Sequence, residues 1–326
     1  MNDFEIRQLV ADTGRLLVEK GLVARTWGNI SCRVDDTHFA ISPSGLGYDN
    51  MQAEDVPVYD YINDTYEGKR KPSSEKKVHA AAYANYSDVN CVIHTHQDYA
   101  TAISLVGTDC LEMTEDERKL LGKVMVADYG LPGTDKLKSN VETALKQGSR
   151  IILMVHHGAV ILGDDMEDAI NKAEVLENIC KRTVDKSIGN DSYKTVPLAE
   201  GVENEKPGII CVTDSNLLFA ANDGGIPSQL DDIAQMTGVK ICSVENNAKS
   251  ILKALSKTPA VLVKGVGCVI CTNDADDCRA LEILAKKAAM AYRLTESRNI
   301  KVRLSVFDCL LMRAVYTMKY SKQKKG

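Results

Sequence analysis

The sequence predicts an α/β protein built in two parts, on three observations. Apolar, β-branched runs alternate with segments whose apolar residues recur at helical spacing. Two of those runs, Cys91-Val92-Ile93 and Ile151-Ile152-Leu153-Met154-Val155, end in histidines, and together they carry four of the six in the chain. A later run, Ala260 to Gly267, repeats the pattern of the second one without its histidines. A chain of 326 residues is long enough for two cores.

From the start, Phe4, Ile6, Leu9, Val10, Leu16 and Leu17 recur at helical spacing, which predicts an amphipathic helix over about 3–20 ending at Gly21. A strand through Val34 and another through Phe39-Ala40-Ile41 form a hairpin across Asp35-Asp36. Gly28-Asn29 and Ser44-Gly45, small and polar, are expected exposed at the strand ends. They either present donors to an anion or simply make turns. Pro72, Ser73 and Ser74 read as a helix start with Glu75 in its first turn. Glu75 is then a charge favoured at a helix N-terminus, or a working carboxylate beside an anion cradle.

On a strand, residues two apart share a face, so His94 and His96 aim at one point. Adjacent residues face opposite ways, so one of His156 and His157 joins them. Three imidazoles at two strand ends suit a divalent metal with a position open for water or substrate. A His-x-His pair alone would be read as solvated loop.

The charge of −5 argues against a nucleic-acid partner. No segment reads as a signal peptide or as a span long enough for a bilayer, so a cytoplasmic location is expected. Ten cysteines in mostly apolar runs, Cys180, Cys211 and Cys242 among them, are expected as buried thiols in a reducing compartment. Cys268-Val269-Ile270-Cys271 has redox-pair spacing but lies in a strand-like run, and reads as core.

Taken in order, Gly28-Asn29, Ser42-Pro43-Ser44-Gly45, Pro72-Ser73-Ser74-Glu75, His94-Thr95-His96 and His156-His157-Gly158 resemble the class II aldolase/adducin head family. The loop Asp128 to Thr134 and the helix Glu167 to Lys181 resemble it too, and the likeness covers about residues 1–185. The resemblance is strongest to the fuculose-phosphate aldolases. It implies a class II aldolase-like mixed, largely antiparallel sheet flanked by helices, in a catalytic domain over 1–190. It implies a metal site of His94, His96 and His157, holding zinc or another divalent ion such as manganese, iron or cobalt. It implies a phosphate cradle from Asn29, Ser44, Gly45, Ser73 and Ser74, with Glu75 as acid/base. It further implies a phosphorylated sugar substrate and a homo-oligomer. Family members take a second acid from a tyrosine near a neighbouring subunit's C-terminus, which makes Tyr316 and Tyr320 candidates beside Tyr129. Epimerases resembling this chain carry Asp at the position of Glu75, and adducin-type members lack the histidines. An aldolase is therefore expected, ahead of an epimerase or dehydratase and of a non-catalytic assembly module. A Schiff-base aldolase through Lys264 is the remotest alternative.

The polar stretch Thr183 to Lys206 reads as an excursion, with a linker over 191–207 and a smaller repeat-like α/β domain over 208–326. With Gly158 set on Gly267, Val160 falls on Val269, Ile161 on Ile270, Asp165 on Asp274 and Asp168 on Asp277. Gly265 and Val266 stand where His156 and His157 do. The repeat is degenerate and one metal per chain is expected.

Overall fold

A computed structural model describes residues 1–23, 25–189 and 191–323, with side chains of the last helix described as far as 318. The chain divides into two compact units, Met1–Thr183 and Val184–Gly326.

The first unit carries eight strands: β1 (Asn29–Arg33), β2 (His38–Ile41), β3 (Val58–Asp60), β4 (Thr65–Glu67), β5 (Cys91–Thr95), β6 (Val124–Ala127), β7 (Ile151–Met154) and β8 (Gly158–Gly163). Its helices are α1 (Asp3–Glu19), α2 (Lys76–Asn85), α3 (Asp98–Ser104), α4 (Glu115–Leu121), α5 (Asp135–Leu145) and α6 (Met166–Ile188), the last of which runs on past Thr183. The strands form one sheet in the order β4-β3-β2-β1-β5-β8-β7-β6. All neighbours are antiparallel except β6 and β7. The mixed, largely antiparallel sheet flanked by helices is thus the fold of this unit.

Local chemistry accounts for the ends of α1. Asn2 and Glu5 form a reciprocal capping box, and Gly21 follows the last turn in the left-handed region. The helix buries Ile6, Val10 and Leu17, whereas Phe4, part of the same apolar pattern, is exposed. Helices α2 and α5 close one face of the sheet, burying Val78, Tyr83, Leu137 and Val141 against Phe39 and Val92.

The second unit contains α7 (Val202–Glu205), β9 (Ile210–Val212), α8 (Ser215–Asn222), β10 (Gly225–Pro227), α9 (Asp231–Thr237), β11 (Lys240–Val244), α10 (Ala248–Leu255), β12 (Ala260–Val263), β13 (Gly267–Ile270), α11 (Ala275–Ser297) and α12 (Val306–Gln323). Its sheet runs β10-β11-β12-β13-β9, with β11 and β12 the parallel pair. The hairpin β12–β13 has the local geometry of β7–β8. Met154 pairs with Gly158, and Val263 with Gly267. His156 and Gly265 both take positive φ, +70° and +74°. The His157 and Val266 amides donate to Met154 and Val263, each at 3.0 Å.

Two expectations meet a different structure. The stretch read as a linker packs within the second unit: Val202 is fully buried, and the Ala199 amide donates to Asn246 Oδ1 at 2.9 Å. Apolar neighbours in sequence concealed that Cys211 and Cys242 are exposed, Cys211 on the edge strand β9; Cys180 and Cys268 are buried as expected. Among the described residues, no helix is long and apolar enough to cross a membrane.

Candidate active site

Strand pairing assembles the site. Asn29 on β1 lies opposite His94 on β5, and Thr95 on β5 lies opposite Ala159 on β8. The β7–β8 turn then delivers His157 to the same sheet end. Its left-handed residue, His156, rotates the chain so that the two neighbouring imidazoles diverge. His157 faces His94, ring centroids 4.9 Å apart, while His156 meets the ring of Tyr129 edge-on at 5.2 Å.

Donor nitrogens of His94, His96 and His157 lie within 4.8 Å of one another. Among the described residues they are the one such grouping of three. His94 and His157 are buried and His96 is half-buried. The His94 Nδ1–H donates to the Ala159 carbonyl at 2.9 Å, which fixes the ring with Nε2 toward the other two histidines. That Nε2 lies 3.1 Å from His96 Nε2.

Two glycines allow this approach. A Cβ on Gly28, already at φ +85°, would sit 2.5 Å from the His94 carbonyl oxygen. A Cβ on Gly158 would sit 2.2 Å from the Thr95 carbonyl oxygen and 3.1 Å from His94 Cε1. No residue with a side chain fits at either place without moving β5.

Glu75 completes the constellation. Its Oε1 is 2.8 Å from His157 Nε2, and its Oε2 is 3.2 Å from His94 Nε2. Glu75 stands at the N-cap of α2, immediately before its first turn. It is buried, and the Ser73 hydroxyl accepts from its amide at 3.2 Å. Burial pushes the Glu75 carboxyl up, but attraction to His157 and His94 and hydrogen bonds from them outweigh it. The group is held well below the usual carboxylate range.

An isolated bridge between Pro43 and Pro72 joins the loops carrying the expected cradle. The Ser44 amide donates to the Lys71 carbonyl at 3.0 Å, and the Ser73 amide to Ser42 at 3.1 Å. Ser44, Gly45 and Ser74 are exposed, and Ser73 is buried. Asn29 differs from expectation: it is buried, and its amide nitrogen donates to Glu75 Oε2 at 3.0 Å. It pairs within β1, so its side chain points into the unit and not outward from a strand end.

Tyr129 is half-buried in the loop after β6, beside His156. Tyr316 lies on α12 in the second unit, half-buried beside a hollow of about 630 Å³ that Arg313, Lys206 and Met236 also line. The side chain of Tyr320 lies outside the described residues.

One group escaped the sequence reading. His79, fully buried on α2, bonds Asn29 and Ser31. Its signal was present: Glu75, His79 and Tyr83 recur every four residues on the segment entering and forming α2, and Asn29 and Ser31 are two apart on β1.

Fold and site together define a family. Residues 8–184 match the Class II Aldolase and Adducin N-terminal domain, and the chain belongs to that family. It is a carbon–carbon lyase of the class II aldolase type. An L-fuculose phosphate aldolase of Methanococcus maripaludis is 32% identical over 167 residues, 51% of this chain and 89% of that protein. A 3-oxo-tetronate 4-phosphate decarboxylase of Haemophilus influenzae is 28% identical over 191 residues, 56% of this chain and 88% of the relative. Among solved structures, an L-fuculose 1-phosphate aldolase superposes with a TM-score of 0.53 at 30% identity, covering 59% of this chain and 91% of that one.

The donor set fits the divalent metal on which class II aldolases depend. Three buried or half-buried imidazole nitrogens, donors of borderline softness, beside a harder carboxylate make a set that suits zinc and its neighbours in the first transition series.

Proposed function

We propose that the first unit is a metal-dependent aldolase that cleaves a phosphorylated ketose, of the fuculose 1-phosphate kind, into dihydroxyacetone phosphate and an aldehyde. The observation that carries the reading is Glu75 lying within hydrogen-bond reach of two of the three clustered histidines.

His94, His96 and His157 would hold the ion. A divalent cation there would supply fixed positive charge against the enediolate that cleavage leaves behind. The chain's own residues do the remaining work. In cleavage, a base takes the hydroxyl proton from the carbon that becomes the aldehyde, and the carbon–carbon bond breaks. Its electron pair passes to the ketose-phosphate fragment. One proton leaves the hydroxyl and one must reach the carbon that received the pair. Glu75, a carboxylate at rest, takes up a proton from solvent and delivers it to that carbon, and in condensation removes it again. The carboxylate's contact with Asn29 at 3.0 Å restrains it for that transfer. Ser44, Gly45, Ser73 and Ser74, joined by the Pro43–Pro72 bridge, would hold the phosphate with hydroxyls and amides. Asn29, engaged with Glu75, would contribute to the cradle through its position beside it. Tyr129 is the better supported partner for the hydroxyl proton, because it belongs to the same unit and packs on His156. Tyr316, in the second unit, is the other candidate, supplied by its own chain or, in a homo-oligomer, by a partner subunit.

A second reading rests on the decarboxylase relative: the same charge stabilisation serves loss of carbon dioxide from a 3-oxo acid phosphate. The test is a panel of pentulose and hexulose 1-phosphates with the zinc-loaded protein, scored for dihydroxyacetone phosphate, with a 3-oxo-tetronate 4-phosphate scored for carbon dioxide. Aldol product from a ketose 1-phosphate is expected. Carbon dioxide from the 3-oxo acid with no aldol product would replace the first reading by the second.

A further inference from the structure

Five buried polar groups form one unbroken chain behind the site. The Tyr83 hydroxyl lies 2.8 Å from Ser31 Oγ, and Ser31 Oγ lies 2.6 Å from His79 Nδ1. His79 Nε2 meets Asn29 Oδ1, and Asn29 Nδ2 reaches Glu75 Oε2 at 3.0 Å. Tyr83, Ser31, His79, Asn29 and Glu75 are each at most 8% exposed.

The direction of every bond in this chain follows from its end. A carboxylate only accepts, so the Asn29 amide turns its nitrogen toward Glu75 and its oxygen toward His79. An amide oxygen only accepts, so His79 carries its proton on Nε2. In the neutral ring Nδ1 is then an acceptor and takes the single Ser31 proton. Ser31, with its proton committed, accepts from Tyr83. With the ring neutral, reversal at any link sets two acceptors or two donors face to face among buried groups.

We infer that His79 is a positioning residue. As a neutral Nε2–H imidazole it locks the Asn29 amide with its nitrogen toward Glu75, and through Asn29 it holds the carboxylate in place. Burial independently favours the neutral ring, pushing its pKa down to about 3. Phe39, stacked on His79 with centroids 6.3 Å apart, fixes the plane of the ring. The inference deepens the aldolase reading and rests on it for the role given to Glu75.

Two measurements test it. Selective 15N-histidine labelling of the intact, unsubstituted protein reports the His79 ring directly and needs no substrate. Protonated Nε2 with bare Nδ1 at neutral pH is expected, and an Nδ1–H tautomer or an imidazolium would overturn the inference. The second compares His79→Phe, which keeps the stacked ring but loses both nitrogens, with His79→Gln, whose amide can again donate to Asn29. With L-fuculose 1-phosphate as probe, the Phe variant should lose about 10–100-fold in kcat, with KM and metal content retained. The Gln variant should recover most of that loss. Parental kcat in His79→Phe, or a His79→Gln no better than it, would refute the positioning role. Should His79→Phe not fold, the tautomer still decides. A parent protein without aldol product but with the expected tautomer would fault the aldolase reading and not the hydrogen-bond chain.

Discussion

Replacing Gly158 by alanine perturbs the site without touching any group that carries charge. The new Cβ would stand 2.2 Å from the Thr95 carbonyl oxygen and 3.1 Å from His94 Cε1. A carbon against a carbonyl oxygen settles at about 3.3–3.6 Å, so β8 and β5 must part locally by roughly 1 Å. Two consequences separate. Overpacking a strand pair in a core costs about 1–3 kcal/mol of stability. The displacement also falls on the His94 ring, whose Nδ1–H is tied to Ala159 one residue further along β8. A shift of about 1 Å in a positioned group costs on the order of 100-fold in turnover. Gly267→Ala is the internal control. Its Cβ would approach the Val212 carbonyl oxygen at 2.3 Å, the same clash in the second unit, where no histidine stands nearby in sequence. Thermal unfolding, bound metal by mass spectrometry and product release should therefore diverge between the two variants. Both lose stability, and only Gly158→Ala loses metal affinity or turnover. A Gly158→Ala protein with parental metal content and kcat would show that the β5–β8 spacing does not hold His94 in place.

Three further outcomes follow from particular contacts. Glu75→Gln should keep the metal while kcat falls by roughly two to four orders of magnitude, as for loss of a general base; an unchanged rate of α-proton exchange in the ketose phosphate would leave Glu75 no catalytic part. His79, with its folded pKa near 3 against 6.5 unfolded, leaves the unfolded chain binding the extra proton between those values. Stability therefore falls as pH is lowered through that window, by about 2 kcal/mol between pH 6.5 and 5 at 1.36 kcal/mol per unit; urea titrations of the parent and His79→Gln should differ by that slope, and parallel curves would contradict it. In the second unit the Lys287 ammonium lies 2.9 Å from Asp232, both side chains 1% exposed, so Lys287→Met should cost about 3–5 kcal/mol by removing one member of a buried ion pair, and Lys287→Met with Asp232→Leu should recover much of it in the same unfolding assay.

How much of this was legible in the sequence depends on the range of the signal. The histidine ends of β5 and β7–β8 were legible because strand alternation and the His-x-His spacing are local. Alternation indicated only that one of His156 and His157 joins the site, and the family resemblance implied His157; the two sit in a turn whose positive φ at His156 does the sorting. Glu75 was visible as a helix-start residue but not as a buried one, because its partners, His94 on β5 and His157 in the β7–β8 turn, are far away in sequence. Asn29 was expected at an exposed strand end. Its inward direction depends on the register Asn29↔His94, which no local pattern encodes. His79 was overlooked because a lone histidine on an apolar helix face has no partner in its own neighbourhood. The second half shows the same division: the Gly158–Gly267 correspondence was readable from spacing, whereas the packing of Val202 beneath a polar stretch was not.

The central claim is that His94, His96 and His157 hold one divalent metal in the first unit, and metal stoichiometry tests it most directly. Purified protein, loaded with zinc and desalted, should carry one ion per chain by inductively coupled plasma mass spectrometry. His157→Ala, folded by circular dichroism, should carry none. An ion retained at full stoichiometry in His157→Ala, or two ions per parent chain, would contradict the account.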